Sequence, residues 1–253
     1  MKYSLCIDAL FENYDFYDRI KLAADAGLDA IEFWDPADRD TEKIGILADN
    51  CGLAVAICTT VDPWGQTLRM NDNYKAVEKR VAESIKKAKA MNCSSLIGLS
   101  GDIDSRKNTQ KGILIENLKA VSGMCEEEGI TLNLEVLNSL IDHKGYYLDC
   151  SHEGFEIARC SGSDNIKILY DIYHMQIMEG NIINNMTANI DQIGHIHSAG
   201  NPGRNEHYIG EINYPGIIAA LDKTDYDGYF GLEYWPTFDD VKSLEKVMAY
   251  LKS

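Results

Sequence analysis

The chain has 253 residues and carries 40 acidic against 24 basic residues, a formal charge of −16. That length suits one large domain, and no run approaches the ~20 apolar residues of a membrane span. So negative a field repels a phosphate backbone, which argues against a nucleic-acid partner.

The first residues, MKYSLCIDALFENYD, meet acids before an apolar core long enough for a secretory leader, so none is expected. The first strand is predicted at 3–7 (YSLCI), and ALFENYD follows it without a Gly-rich phosphate turn. A helix is predicted over 15–26, a strand at 30–34 (AIEFW), a helix over 41–51 and a strand at 53–58 (LAVAIC). Next come a helix over 74–91, a strand at 94–99 (SSLIGL), a helix over 107–128 and a strand at 131–137 (TLNLEVL). The second half repeats the alternation. Helices are predicted over 153–161, about 180–191, 214–223 and 238–251, and strands at 166–172 (IKILYDI), 193–199 (IGHIHSA) and 229–235 (YFGLEYW). Turns such as AGLDA, NCGLAV and EEGITL end several of the helices.

Eight strand–helix units at this length predict a parallel sheet closed into a (β/α)8 TIM barrel, as a single domain over 1–253. A doubly wound open sheet is the alternative, and it would carry the missing glycine turn after its first strand. The seven cysteines form no C-x-x-C pair, and several lie in apolar runs. They read as reduced, mostly buried thiols of a cytoplasmic protein rather than as zinc ligands.

In a barrel, chemistry gathers where strands end and βα loops begin. There strand five offers Glu135, strand six Asp171 with His174 just beyond, strand seven His197 and strand eight Glu233. One such residue alone reads as a rim charge or a hydrogen-bonded core histidine. Four on successive strands converge, and three carboxylates repel one another unless a cation sits between them. Oxygen ligands plus one imidazole suit one divalent metal ion: Mn2+, Mg2+ or Co2+, with Zn2+ compatible. His195 shares a face with His197 one pleat deeper, and is expected to fill the barrel interior with its ring hydrogen-bonded.

The stretches LYDIYHMQIMEG, IGHIHSAGNPGRNE, GEINYPGI and YDGYFGLEYWP closely resemble the hydroxypyruvate isomerase family. That family belongs to the xylose-isomerase-like barrels, with ketose 3-epimerases as relatives. The likeness is strong over about 130–240 and weaker before it. It implies that Glu135, Asp171, His197 and Glu233 are metal ligands and that Glu135 and Glu233 are also the catalytic acid/base carboxylates. It implies that His174 and Arg204, the latter in NPGRNE, bind substrate. The chain departs from the pattern at three points. Hydroxypyruvate isomerases often carry Gln where His197 stands, whereas the epimerases carry His. The segment after strand three, TTVDPWGQTLRMND, is short. Strand five reads LEVLN rather than LEPLN.

The reaction so implied moves a proton between carbons beside a carbonyl, through an enediolate, in a small-molecule hydroxycarbonyl acid or sugar. Hydroxypyruvate to tartronate semialdehyde is the first expectation. A ketose 3-epimerase or an inosose-type dehydratase on the same scaffold is the alternative. A non-catalytic sugar- or acid-binding barrel is a further one, and assembly into a homo-oligomer is left open. The DNA-repair endonuclease branch needs more metal ligands and a basic surface, against six histidines and the negative charge. Arg204 could pair with a substrate carboxylate, and Trp34 and Trp64 could wall the pocket.

Overall fold

A computed structural model describes residues 1–65, 68, 74–104 and 109–253. Eight parallel strands close in sequence order into a barrel, β1-β2-β3-β4-β5-β6-β7-β8, as the alternation predicts. The strands are β1 (Lys2–Cys6), β2 (Ala30–Phe33), β3 (Ala54–Thr59), β4 (Ser95–Gly98), β5 (Thr131–Glu135), β6 (Ile166–Asp171), β7 (Ile193–Ser198) and β8 (Tyr229–Leu232). Helices α1 (Phe16–Asp25), α2 (Thr41–Asn50), α3 (Tyr74–Ala90), α4 (Gln110–Glu128) and α5 (Ser151–Ser161) return the chain between successive strands of the first half. The apolar faces of these helices and the outward-facing strand residues form one continuous core. Among the described residues no helix is long and apolar enough to cross a membrane. Part of the shortened segment after strand three, residues 66, 67 and 69–72, lies outside the described residues.

The structure departs from the predicted elements after strand six. The apolar run IKILYDI suggests a strand through Ile172, but β6 stops at Asp171 and helix α6 (Ile172–Met178) begins at once. Asp171 makes the switch: its side chain accepts the backbone N–H of His174 and caps the helix. The helix expected over about 180–191 divides into α7 (Ile182–Ala188) and a short 3-10 turn at Ile190–Gln192. Helices α8 (Tyr214–Leu221) and α9 (Asp240–Leu251) then flank β8.

The loop from β7 to α8 is tied down at both ends. The buried Tyr214 hydroxyl donates to Ala199 O at 2.6 Å and accepts from Ala199 N–H at 3.0 Å, so one phenol satisfies both backbone groups just past β7. Farther along, Trp235 N–H donates to Arg204 O at 2.9 Å, and the Asn205 side chain donates to Trp235 O at 2.8 Å. Arg204 itself has φ +55°, in the left-handed region that a non-glycine residue occupies at a cost. Tyr214→Phe is expected to destabilise the fold by about 1–3 kcal/mol, because it strands a buried N–H and C=O with no replacement partner. Denaturant unfolding checks this; a loss below a few tenths of a kcal/mol would mean that water replaces the phenol.

Candidate active site

The carboxyl ends of β5–β8 bring four side chains to one point. Glu135, Asp171, His197 and Glu233 each offer an atom within 4.8 Å of the others, and all four are buried. Strand register explains the convergence: Asp171 on β6 pairs with His197 on β7, and Glu135 ends β5 on the far side of Asp171. His197 Nδ1 lies 3.4 Å from Glu135 Oε1 and 3.4 Å from Glu233 Oε2, yet has no aligned hydrogen bond. A buried imidazole nitrogen facing two carboxylates in this way, with Asp171 completing the cluster, fits a cation-binding donor set.

His174 stands beside the cluster, wholly buried, on the first turn of α6. The backbone N–H of Asn138 points at its Nδ1 at 3.2 Å. An amide N–H can only donate, so Nδ1 accepts and the neutral ring carries its proton on Nε2. That Nε2 is unpartnered and lies 3.5 Å from Asp171 Oδ2. Burial pushes the His174 imidazole well below its ordinary range, helped by the nearby Arg204, so the ring is neutral.

Arg204 reaches the site, but its guanidinium is engaged by protein carboxylates. Nη2 bonds Glu233 Oε2 and lies 3.4 Å from Asp171 Oδ2, while Nε is buried without a partner. The rings of Tyr173 and Trp235, 5.2 and 5.0 Å from the guanidinium carbon, flank the charge. The expected pairing with a substrate carboxylate therefore has only part of the guanidinium left for it. Above the cluster is a cavity of about 470 Å³ with Trp34, Trp64, His143 and Trp235 in its wall. Trp64 stacks on His143, and the Trp34 indole N–H donates to Glu233 Oε1 at 2.8 Å, a role beyond walling the pocket.

Sequence reasoning missed Glu32. It is buried on β2, with Oε2 2.7 Å from His195 Nε2, so His195 is hydrogen-bonded in the barrel interior as expected. The signal was present in AIEFW, an acid inside an apolar strand. Glu32 lies on strand two, apart from the polar ends of strands five to eight.

The buried carboxyls diverge. Burial acts to raise both Glu32 and Glu233, but in each case charged and hydrogen-bonding partners prevail. The imidazoles of His197 and His195 hold Glu32 down to about 2, and Arg204 with His197 holds Glu233 well below the carboxylate range. Asp171 goes the other way. Burial, joined by Glu233 and Glu135, overrides Arg204 and His197 and lifts it to about 7 from an ordinary 3.8. A carboxyl raised in the folded state adds stability below its unfolded value and loses that contribution as pH rises through about 7. Asp171→Asn keeps the helix-capping oxygen and removes the charge. In the presence of chelator its Tm is expected to exceed wild type at pH 8 by ~2 °C or more, with the gap closing toward pH 5. Thermal melts at the two pH values check this; a gap that widens in acid contradicts the sign.

The model of the xylose isomerase-like TIM barrel family matches residues 20–253. The chain is 32% identical over 243 residues to hydroxypyruvate isomerase of Escherichia coli K12, covering 93% of this chain and 94% of that protein. It is 28% identical over 243 residues to 2-oxo-tetronate isomerase of Pectobacterium atrosepticum, covering 93% and 92%. Among solved structures, AP endonuclease, family 2 from Brucella melitensis superimposes with a TM-score of 0.93 at 24% identity, over 98% of both chains, a likeness of fold. With eight strands closed in order and relatives matched along nearly their whole length, the chain belongs to the xylose isomerase-like TIM-barrel family, in its hydroxypyruvate isomerase branch, and is an isomerase.

Proposed function

We propose that the chain isomerises a small hydroxycarbonyl acid, with hydroxypyruvate to tartronate semialdehyde as the first substrate, and that it works in the cytoplasm. The proton moves between adjacent carbons through an enediolate, with Glu135 and Glu233 as proton carriers. One divalent metal ion, Mn2+, Mg2+ or Co2+ with Zn2+ compatible, is held by Glu135, Asp171, His197 and Glu233. The observation that carries this reading is the unsatisfied His197 Nδ1 facing Glu135 and Glu233 inside a buried acidic cluster. Such an ion supplies Lewis-acid stabilisation of negative charge on substrate oxygens.

The protein groups divide the rest of the work. Glu233 is kept ionised by Arg204 and His197 and is oriented by the Trp34 indole, which suits it to take a proton. Glu135, entering from β5, suits the return of that proton. His174 presents Nε2–H as a donor for a substrate oxygen. Arg204 lies where its remaining N–H groups can meet a substrate oxygen or carboxylate. The tryptophans of the cavity wall give the space above the cluster an apolar lining.

A second reading is 3-epimerisation of a ketose, in which the same two carboxylates serve opposite faces of one carbon. His197 favours it, because the resemblance places His there in the epimerases. The cavity of about 470 Å³ is roomy for a three-carbon acid, so the substrate panel includes hydroxypyruvate, 2-oxo-tetronate and free ketoses.

Chelation is expected to abolish turnover, and added Mn2+ to restore it; full activity in a demonstrably metal-free preparation contradicts the proposal. Glu135→Gln and Glu233→Gln are each expected to lower kcat by at least ~10²-fold, with metal content measured alongside. Exchange of solvent deuterium into the substrate carbon should occur in wild type and fail in both variants. If both metal-loaded variants stay fully active, the two-carboxylate mechanism is wrong. If wild type instead epimerises a ketose at C3 and leaves hydroxypyruvate untouched, the second reading replaces the first.

A further inference from the structure

Behind the cluster lies a carboxylate for which the reaction has no use. Glu32 is 1% exposed. Its Oε2 accepts from Ser4 Oγ at 2.8 Å and lies 2.7 Å from His195 Nε2. Its Oε1 has no hydrogen-bond partner, and neither has His197 Nε2; these two buried atoms face each other at 3.1 Å. The His197 ring therefore spans two acidic groups, with Nε2 toward Glu32 and Nδ1 toward Glu135 and Glu233.

The barrel wall is shaped to admit this contact. Ser4 on β1, Gly231 on β8 and His197 on β7 lie in one row of the strand register. A Cβ at Gly231 would stand 2.7 Å from Glu32 Oε1 and 2.8 Å from His197 Cδ2. Real Cβ atoms do not approach so closely, so any side chain there would push the carboxylate and the imidazole aside. The small residues on β1 and β8 let a carboxylate from β2 reach a ring on β7.

In an ion-loaded site the His197 imidazole is neutral: it carries one proton, and whichever nitrogen holds that proton cannot ligate the cation. A carboxylate that accepts from one nitrogen fixes the tautomer and strengthens the other as a donor to metal. We propose that Glu32 is a positioning residue: anchored by Ser4 and His195, it takes the Nε2–H of His197 and leaves the Nδ1 lone pair aimed at Glu135, Asp171 and Glu233. This rests on the reading of those four residues as a cation site. Glu32, His195 and His197 could instead be taken for a second cation site. The 2.7 Å separation of His195 Nε2 from Glu32 Oε2 is that of a shared proton, whereas ligands each ~2 Å from an ion stand ~3 Å or more apart.

The test is Mn2+ titration of the purified protein near neutral pH, followed by electron paramagnetic resonance, with a thermal melt for each variant. Wild type should bind one ion. Glu32→Ala should weaken binding ~10–100-fold, and Glu32→Gln by less, since its amide oxygen can still accept. Gly231→Ala should weaken binding as well, although it removes no polar atom. Nitrogen-15 spectra of the Zn2+-loaded wild type give an answer independent of whether the variants fold: His197 should show a protonated Nε2 and a ligating Nδ1. Binding by folded Glu32→Ala as tight as wild type overturns the positioning role, as does a spectrum with Nε2 as the ligand. A second bound ion that disappears in His195→Ala also overturns it. A wild type that takes up no divalent ion removes the cluster reading itself, and the positioning role with it, which separates the two failures.

Discussion

Four carboxylates share the interior of one barrel, and none of them can be afforded there without positive charge beside it. Glu32, Glu135, Asp171 and Glu233 are all buried, and each would be costly as an isolated ion. The chain answers with His197 and Arg204, and with the His195 ring hydrogen-bonded to Glu32, all from a single strand and the loop that follows it. This need explains the glycine on β8, the two aromatic rings about the guanidinium and the tie between Trp235 and Arg204. It also makes a divalent cation an economical fifth member of the group.

Charge balance inside the cluster is uneven, and the unevenness has chemical content. Glu233 has the closest cation and stays ionised, whereas Asp171, equally buried, lies farther from Arg204 and is pushed toward its neutral form. This unevenness belongs to the cluster without an ion, and a bound cation would draw Asp171 back to its ionised form. His174 adds a third condition, a neutral ring whose tautomer is fixed by a backbone amide.

Much of this was legible in the sequence because barrels write their plan locally. Alternating strand and helix periods gave eight units, and polar residues ending apolar strands picked out Glu135, Asp171, His197 and Glu233. What was not legible depends on contacts between distant segments. The reach of Glu32 across β1 and β8 needs strand register as well as the pattern AIEFW. The engagement of Arg204 by Glu233 joins residues on two different loops. The end of β6 depends on a single capping oxygen, while the apolar run around it continues unchanged, so periodicity alone overshoots.

The ties between Arg204, Asn205 and Trp235 have a mechanical consequence. Trp235 lies two residues beyond Glu233, and its backbone is held by the loop that carries Arg204. The adjacent Glu206 accepts the backbone N–H of Thr237 at 2.9 Å and so adds a third rivet. The two loops are therefore coupled to each other. Displacing one loop without the other would break these hydrogen bonds, so they favour keeping the guanidinium beside its carboxylate. Local breathing at this rim can carry the charges together without separating them, so the field acting on Glu233 is stiffer than either loop would be alone.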